Sequence, residues 1–335
     1  MATIYLHIGP HKTASSSIQE GLKRYREELL SQGIYFPLLP GPNNELYENH
    51  SLLIFSLFGD EPDKYHINAA HGITTRDAVN ALNEKYKEFL IKEARQRASS
   101  QSAIVFSGEY MVLLSDSGIR KLKEFLLCQF GTSTSIKIIF YVRAPHDWFS
   151  SLVQQWVRGG EVLDEIVHAR FFSIRDKIQP FCRHFGKSNV LIGKYEDSIQ
   201  HQGGPVAHFL SLISEGFDTS TIRSSSVNIG LCAEAVQLVS ALNKASREAG
   251  TGLPVGVPPN YLTRFSQIPG AKFVLPRHIQ RRVWVEARES LEWIESTFGI
   301  ELYNEFECIE PSKAMWSDDA VLSIAKLVVE NRELR

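Results

Sequence analysis

At 335 residues the chain is long enough for one large α/β domain or two smaller ones, and 43% apolar with 22% charged residues is ordinary globular composition. A net charge near −2 argues against a general binder of nucleic acid or anionic membrane, and no apolar run approaches the roughly 20 residues that cross a bilayer. Cys128, Cys182, Cys232 and Cys308 are scattered, form no ligand cluster and read as buried free thiols, so no metal is expected.

Residues 3–8 are a short apolar run of β-formers and predict a buried strand. That strand starts almost at once, with no charged leader ahead of an apolar stretch, so a cytoplasmic protein is expected. Ile18, Leu22, Tyr25 and Leu29 then recur at helical spacing. Residues 33–37 read as a second strand, 39–44 as a loop and 52–58 as a short helix. Residues 60–75, with His66 and His71, read as polar and irregular, and 78–98 as an amphipathic helix. A strand over 101–110, a helix over 116–130, a strand over 135–142, a helix over 147–158 and a strand over 189–196 follow. The run at 135–142 is continuously apolar, as a parallel strand covered on both faces would be. Beyond about 205, helices are expected at 231–248, 277–298 and 318–330, with a loop at 254–259.

The alternation predicts an α/β fold with a P-loop-like, mostly parallel central sheet flanked by helices and a helical C-terminal elaboration. The expected organisation is a single domain over 1–335, with a nucleotide-binding core over 1–205 and the elaboration over 206–335. Between the first strand and helix lie Lys12, Thr13, Ala14, Ser15, Ser16 and Ser17. A lysine and hydroxyls at a helix N-terminus make a candidate phosphate site, because the amides there are unpaired and partly positive. The same hydroxyls are expected to cap the helix. A Walker A loop ends in its lysine, whereas Lys12 opens this stretch. Farther on, Arg143 ends a predicted buried strand and Ser151 follows with seven residues between, a spacing that can offer a planar donor fork and a hydroxyl to one phosphate.

The stretch His7-Ile8-Gly9-Pro10-His11-Lys12-Thr13-Ala14-Ser15-Ser16-Ser17 resembles the 5′-phosphosulfate loop of sulfotransferases, and Arg143 with Ser151 resembles their 3′-phosphate motif. Tyr195-Glu196-Asp197 is similar to a strand end of that family, and Asn228-Ile229-Gly230-Leu231 to a later Asn-x-Ser-Leu segment. Ala14 stands where the family has glycine, and Ser17 where phenol and steroid members carry a tryptophan against adenine, so the chain looks closer to bacterial and carbohydrate-type members. The resemblance implies a donor, 3′-phosphoadenosine 5′-phosphosulfate (PAPS), held by Lys12–Ser17, Arg143 and Ser151, with adenosine 3′,5′-bisphosphate (PAP) as product. It implies a hydroxyl acceptor on a carbohydrate or glycolipid, and catalysis by Lys12 with His50 or Glu109 as base. Glu45, His66 and His71 are further candidates for the base. Lys272, Arg277, Arg281 and Arg282 form a late basic cluster that is either a solvated helix face or an anion contact. Two other readings are a P-loop kinase or nucleotide hydrolase of atypical loop pattern and a non-catalytic nucleotide-binding protein.

Overall fold

The computed structural model describes residues 2–40, 45–94, 103–213, 217–223, 230–248, 263–303, 306, 308–310, 316–317 and 319–320. The expected loops at 41–44 and 254–259, the helix end at 95–98, residues 228–229 and most of the helix expected at 318–330 lie outside them. The chain clusters into two compact units, Met1–Arg143 with Ile174–Val227 and Ala144–Ser173 with Asn228–Arg335.

The first unit is built on a five-stranded sheet in the order β2-β5-β1-β6-β7, every neighbouring pair parallel. Its strands are β1 (Thr3–His7), β2 (Ile34–Tyr35), β5 (Ala103–Ser107), β6 (Ile136–Val142) and β7 (Val190–Lys194); β3 (Leu39–Pro40) and β4 (Leu46–Tyr47) form a separate antiparallel pair. β1 is central because its run, Ile4 to Ile8, is apolar enough to be covered on both faces. On one face Tyr5, Val105, Ile139 and Tyr141 pack with Ile18 and Leu22 of α1 (Ser15–Arg24) and with Val206, Phe209 and Leu210 of the helix Gly204–Ile213. The alternating residues Ile4, Leu6, Ile104, Phe106, Ile138 and Phe140 are equally buried. Each such aliphatic or aromatic side chain contributes about 1.5–3 kcal/mol on burial.

Two departures from the sequence pattern have local causes. The helix Ile174–Phe185 buries Ile174, Ile178, Phe181 and Phe185 at helical spacing, but Pro180 in its interior masks it from propensity arguments. The segment read as irregular contains a 3₁₀ turn, Pro62–Lys64, and a short helix, His66–Ala70. Tertiary hydrogen bonds hold that segment, since the Asn68 amide donates to Pro62 O (2.7 Å) and Ser56 Oγ (3.0 Å).

In the second unit the described residues form helices, including Pro145–Arg158, Ala233–Glu248 and Arg277–Phe298. Their shared core contains Trp148, Phe149, Val153, Val157, Val236, Val239, Leu275, Ile279 and Val283. Asn243 ties two elements of this unit by donating to Val157 O and Glu161 O, each at 2.8 Å. All four cysteines are free, but Cys128 is exposed and the others are half-buried, so they are not the buried thiols expected. Among the described residues no helix is long and apolar enough to cross a membrane.

The close approach of α1 to the helix Gly204–Ile213 depends on Gly21, where a Cβ would lie 2.3 Å from Val206 Cγ2. Gly21→Ala should therefore cost about 1–2 kcal/mol by denaturant titration, although alanine is the better helix former. Adding Val206→Ala should recover more than additivity predicts; additive losses would show that the two helices do not meet through this pair.

Candidate active site at the carboxyl edge of the parallel sheet

β5, β1, β6 and β7 all end at one edge of the sheet, the edge at which open α/β folds hold ligands. The chain leaves β1 pinned from both sides. Gly108 N–H donates to His7 O (2.9 Å), Ile8 N–H to Ile139 O (3.0 Å) and Tyr141 N–H to Gly9 O (3.2 Å). Gly9, with φ of 94°, lies so near the next strand end that a Cβ would meet Glu109 Cα at 2.9 Å.

Past this point the backbone changes hand twice, with Lys12 at φ 66° and Ala14 at φ 65°, and Ala14 is the N-cap of α1. Ala14 thus takes the left-handed conformation that costs an ordinary L-residue about 1–2 kcal/mol. The expected hydroxyl cap does not form. Thr13 Oγ1 donates to Pro10 O at 2.6 Å and Ser15 Oγ to the same carbonyl at 3.4 Å, while the N-cap has no side-chain bond. Thr13 and Ser15 therefore brace the loop, and the N-cap side chain offers the first amides of α1 no acceptor. Ser16 is exposed and Ser17 half-buried.

Arg143, the residue after β6, reaches back across this edge. Its Nη1 donates to Lys12 O at 2.8 Å, and its guanidinium lies over the Tyr195 ring at 4.4 Å from the centroid. Its buried Nε has no hydrogen-bond partner among the described residues. Tyr195 opens a short helix directly after β7, so the segment resembling a strand end is a strand-to-helix junction.

Glu109, two residues beyond β5, faces the same loop. Its Oε1 lies 3.3 Å from His11 Nδ1, and the two side chains are 21% and 20% exposed. Burial alone would raise the Glu109 carboxyl, but the hydrogen bond from His11 and the charges of His11 and Lys12 hold it below the usual carboxylate range. The His11 ring sits edge-on to Tyr110, 4.5 Å between centroids, and Tyr110 Oη is 2.9 Å from His66 Nε2. Lys12, Glu109 and Arg143 are thus brought together, and His66 stands beside them.

His50 has a different place. It is fully buried, its Nδ1 accepts from Ser107 N–H at 2.8 Å, and its Nε2 donates to Pro37 O at 2.8 Å. Both ring nitrogens are committed to backbone, and burial lowers its pKa to about 4. This geometry makes His50 a strut between β5 and the turn after β2, and no acceptor proton can reach it. His7 is equally buried, with Nδ1 2.8 Å from Ser107 Oγ, a hydroxyl that also accepts from Gln19 Nε2 at 3.2 Å; burial lowers its pKa to about 4. Ser151 belongs to the second unit, half-buried on the helix Pro145–Arg158. Glu45 and His71 both contact Tyr47, which donates to Glu45 Oε2 at 3.3 Å and meets the His71 ring edge-on. Within the second unit Lys272 pairs with Asp147 (3.3 Å), Arg277 with Glu310 (2.6 Å), and Arg282 donates to Val167 O (2.8 Å) and Ala169 O (3.1 Å).

No protein-family model matches the chain, and no curated protein does. Among solved structures, a sulfotransferase from Alicyclobacillus acidocaldarius is similar over 74% of this chain and 95% of that one, at 15% identity and a TM-score of 0.39.

Unfolded imidazoles titrate near 6.5 whereas His7 and His50 do so at about 4, so between those values only the unfolded chain binds the protons. Stability should fall on acidification from about pH 6.5 to about 4 with a slope of up to about two protons, and the depressed Glu109 should add a further loss below about 4.5. Denaturant titrations across this range should show a shallower slope for His50→Gln; an unchanged slope would place the protons elsewhere. Separately, Ala14→Gly should raise stability by about 0.5–1 kcal/mol, the left-handed cost relieved less the added freedom of the unfolded chain.

Proposed function

We propose that this protein transfers a sulfuryl group from PAPS to a hydroxyl of a carbohydrate or glycolipid acceptor. The observation that carries this reading is the meeting of Lys12, the uncapped amides of α1 and the Arg143 guanidinium at one sheet edge. These are three kinds of anion donor on a rigid frame. The order of the two motifs, 131 residues apart from Lys12 to Arg143, supports the phosphosulfate donor over a simple phosphate ester.

In this reading the head of α1 and Lys12 hold the phosphosulfate end of the donor. Lys12 also stabilises the negative charge that develops on the oxygen between phosphorus and sulfur as that bond breaks. Arg143 serves the 3′-phosphate, its planar fork steadied by the Tyr195 ring. Glu109 stands on the acceptor side of the loop, and His50 has no part in the chemistry.

A kinase of atypical loop is the weaker reading. Such an enzyme holds Mg²⁺ through a loop hydroxyl, and here the hydroxyls of Thr13 and Ser15 are turned onto Pro10 O.

Calorimetric titration with PAP, against ADP plus Mg²⁺, tests the donor site directly. PAP should bind and ADP should not; the reverse would favour the kinase, and silence from both would leave a protein without this donor. Lys12→Ala should abolish transfer while the fold persists. Arg143→Ala should weaken PAP more than adenosine 5′-phosphate by at least about tenfold, the worth of one charge-assisted hydrogen bond.

A further inference from the structure

Resting on the transfer reading, we infer that His11 is the proton acceptor for the attacking hydroxyl, and that Glu109 is its positioning residue. The sequence offered Glu109 or His50 for this task, and the structure supplies a different arrangement. His11 directly precedes Lys12, so a base there stands one residue from the group that stabilises the leaving oxygen. Its Nδ1 faces Glu109 Oε1 at 3.3 Å, and the Tyr110 ring backs it edge-on at 4.5 Å, which together fix the plane of the imidazole.

A neutral imidazole that gives its Nδ1–H to a carboxylate has its basic lone pair on Nε2. Glu109 is the poorer base of the two. Its carboxylate accepts a hydrogen bond from His11 and lies near the positive charge of Lys12, and a carboxylate so stabilised has little tendency to take a proton. Its own backbone is fixed by the close packing against Gly9, so the carboxylate is a firm orienting partner.

The acceptor oxygen forms a bond to sulfur while the bond from sulfur to the bridging phosphate oxygen breaks. The electron pair of the broken bond stays on the phosphate oxygen, beside Lys12. The acceptor proton passes to His11 Nε2, giving an imidazolium paired with Glu109, and later leaves to water. Glu109 and Tyr110 face this imidazole, with His66 behind Tyr110 at 2.9 Å from its hydroxyl.

The first test needs no acceptor. Histidine-selective ¹⁵N spectra of the whole protein at mildly alkaline pH should show His11 as the Nδ1–H tautomer, assigned by the peak absent in His11→Asn. Glu109→Ala should move it toward the Nε2–H form. The Nε2–H tautomer in the unaltered protein would overturn the proposal. In the second test, PAP release from PAPS is followed with glycerol and methyl glycosides as hydroxyl probes. His11→Asn should bind PAP as before and lose about 10²–10⁴-fold in kcat, with Glu109→Gln shifting the acid limb of the pH profile. Full turnover by His11→Asn would overturn the assignment. Failure of PAP to bind at all would instead overturn the donor reading, and the tautomer would still decide the pairing.

Discussion

The site depends on β1 being hydrogen-bonded along both edges, to β5 on one side and β6 on the other. A strand held in this way cannot slide, because a shift of register would break two ladders and reverse every side chain. The loop after it inherits that fixity through the three backbone bonds at His7, Ile8 and Gly9. Glu109 and Arg143 come from the two neighbouring strand ends, so their distances to the loop are set by sheet geometry. A short, irregular loop can therefore hold a defined shape without a covalent tie.

Beneath the loop lies a polar layer that the proposed mechanism does not use. His7, Gln19, His50 and Ser107 are all buried and linked, and two of them join elements that the sheet alone leaves separate. His50 connects β5 with the turn after β2, and Gln19 connects α1 with β5. Buried neutral polar groups of this sort are costly unless paired, and pairing restricts the chain to one arrangement. Their neutrality also leaves the positive field at the edge to Lys12, Arg143 and the start of α1.

Much of this was readable from the residues. The alternation of apolar runs and helical stripes gave the parallel sheet, and the cluster around Lys12 and the arginine at the end of the strongest strand named two residues that meet at its carboxyl edge. What could not be read was contact between residues distant in the chain. His50 sits in a polar Glu-Asn-His-Ser context that suggests exposure, yet Phe36, Phe106 and the Ser107 backbone enclose it. His11 was visible beside Lys12, but its value depends on Glu109, 98 residues away, and no spacing rule connects them. The hydroxyls were correctly located and misassigned in direction, because Pro10 O competes for them with the amides of α1.

Ala14 has a wider consequence. A glycine in its place would visit many backbone shapes when the loop is empty and would have to give them up each time a ligand arrives. Alanine held at positive φ has already given them up on folding, so the strain is carried by the resting protein and not by the encounter. On the proposed reading, grip on an anion and resistance to heat place opposite demands on this one residue. A lineage under thermal selection would be driven toward glycine here, and one selected for tight binding of a scarce ligand at this loop would keep the methyl group.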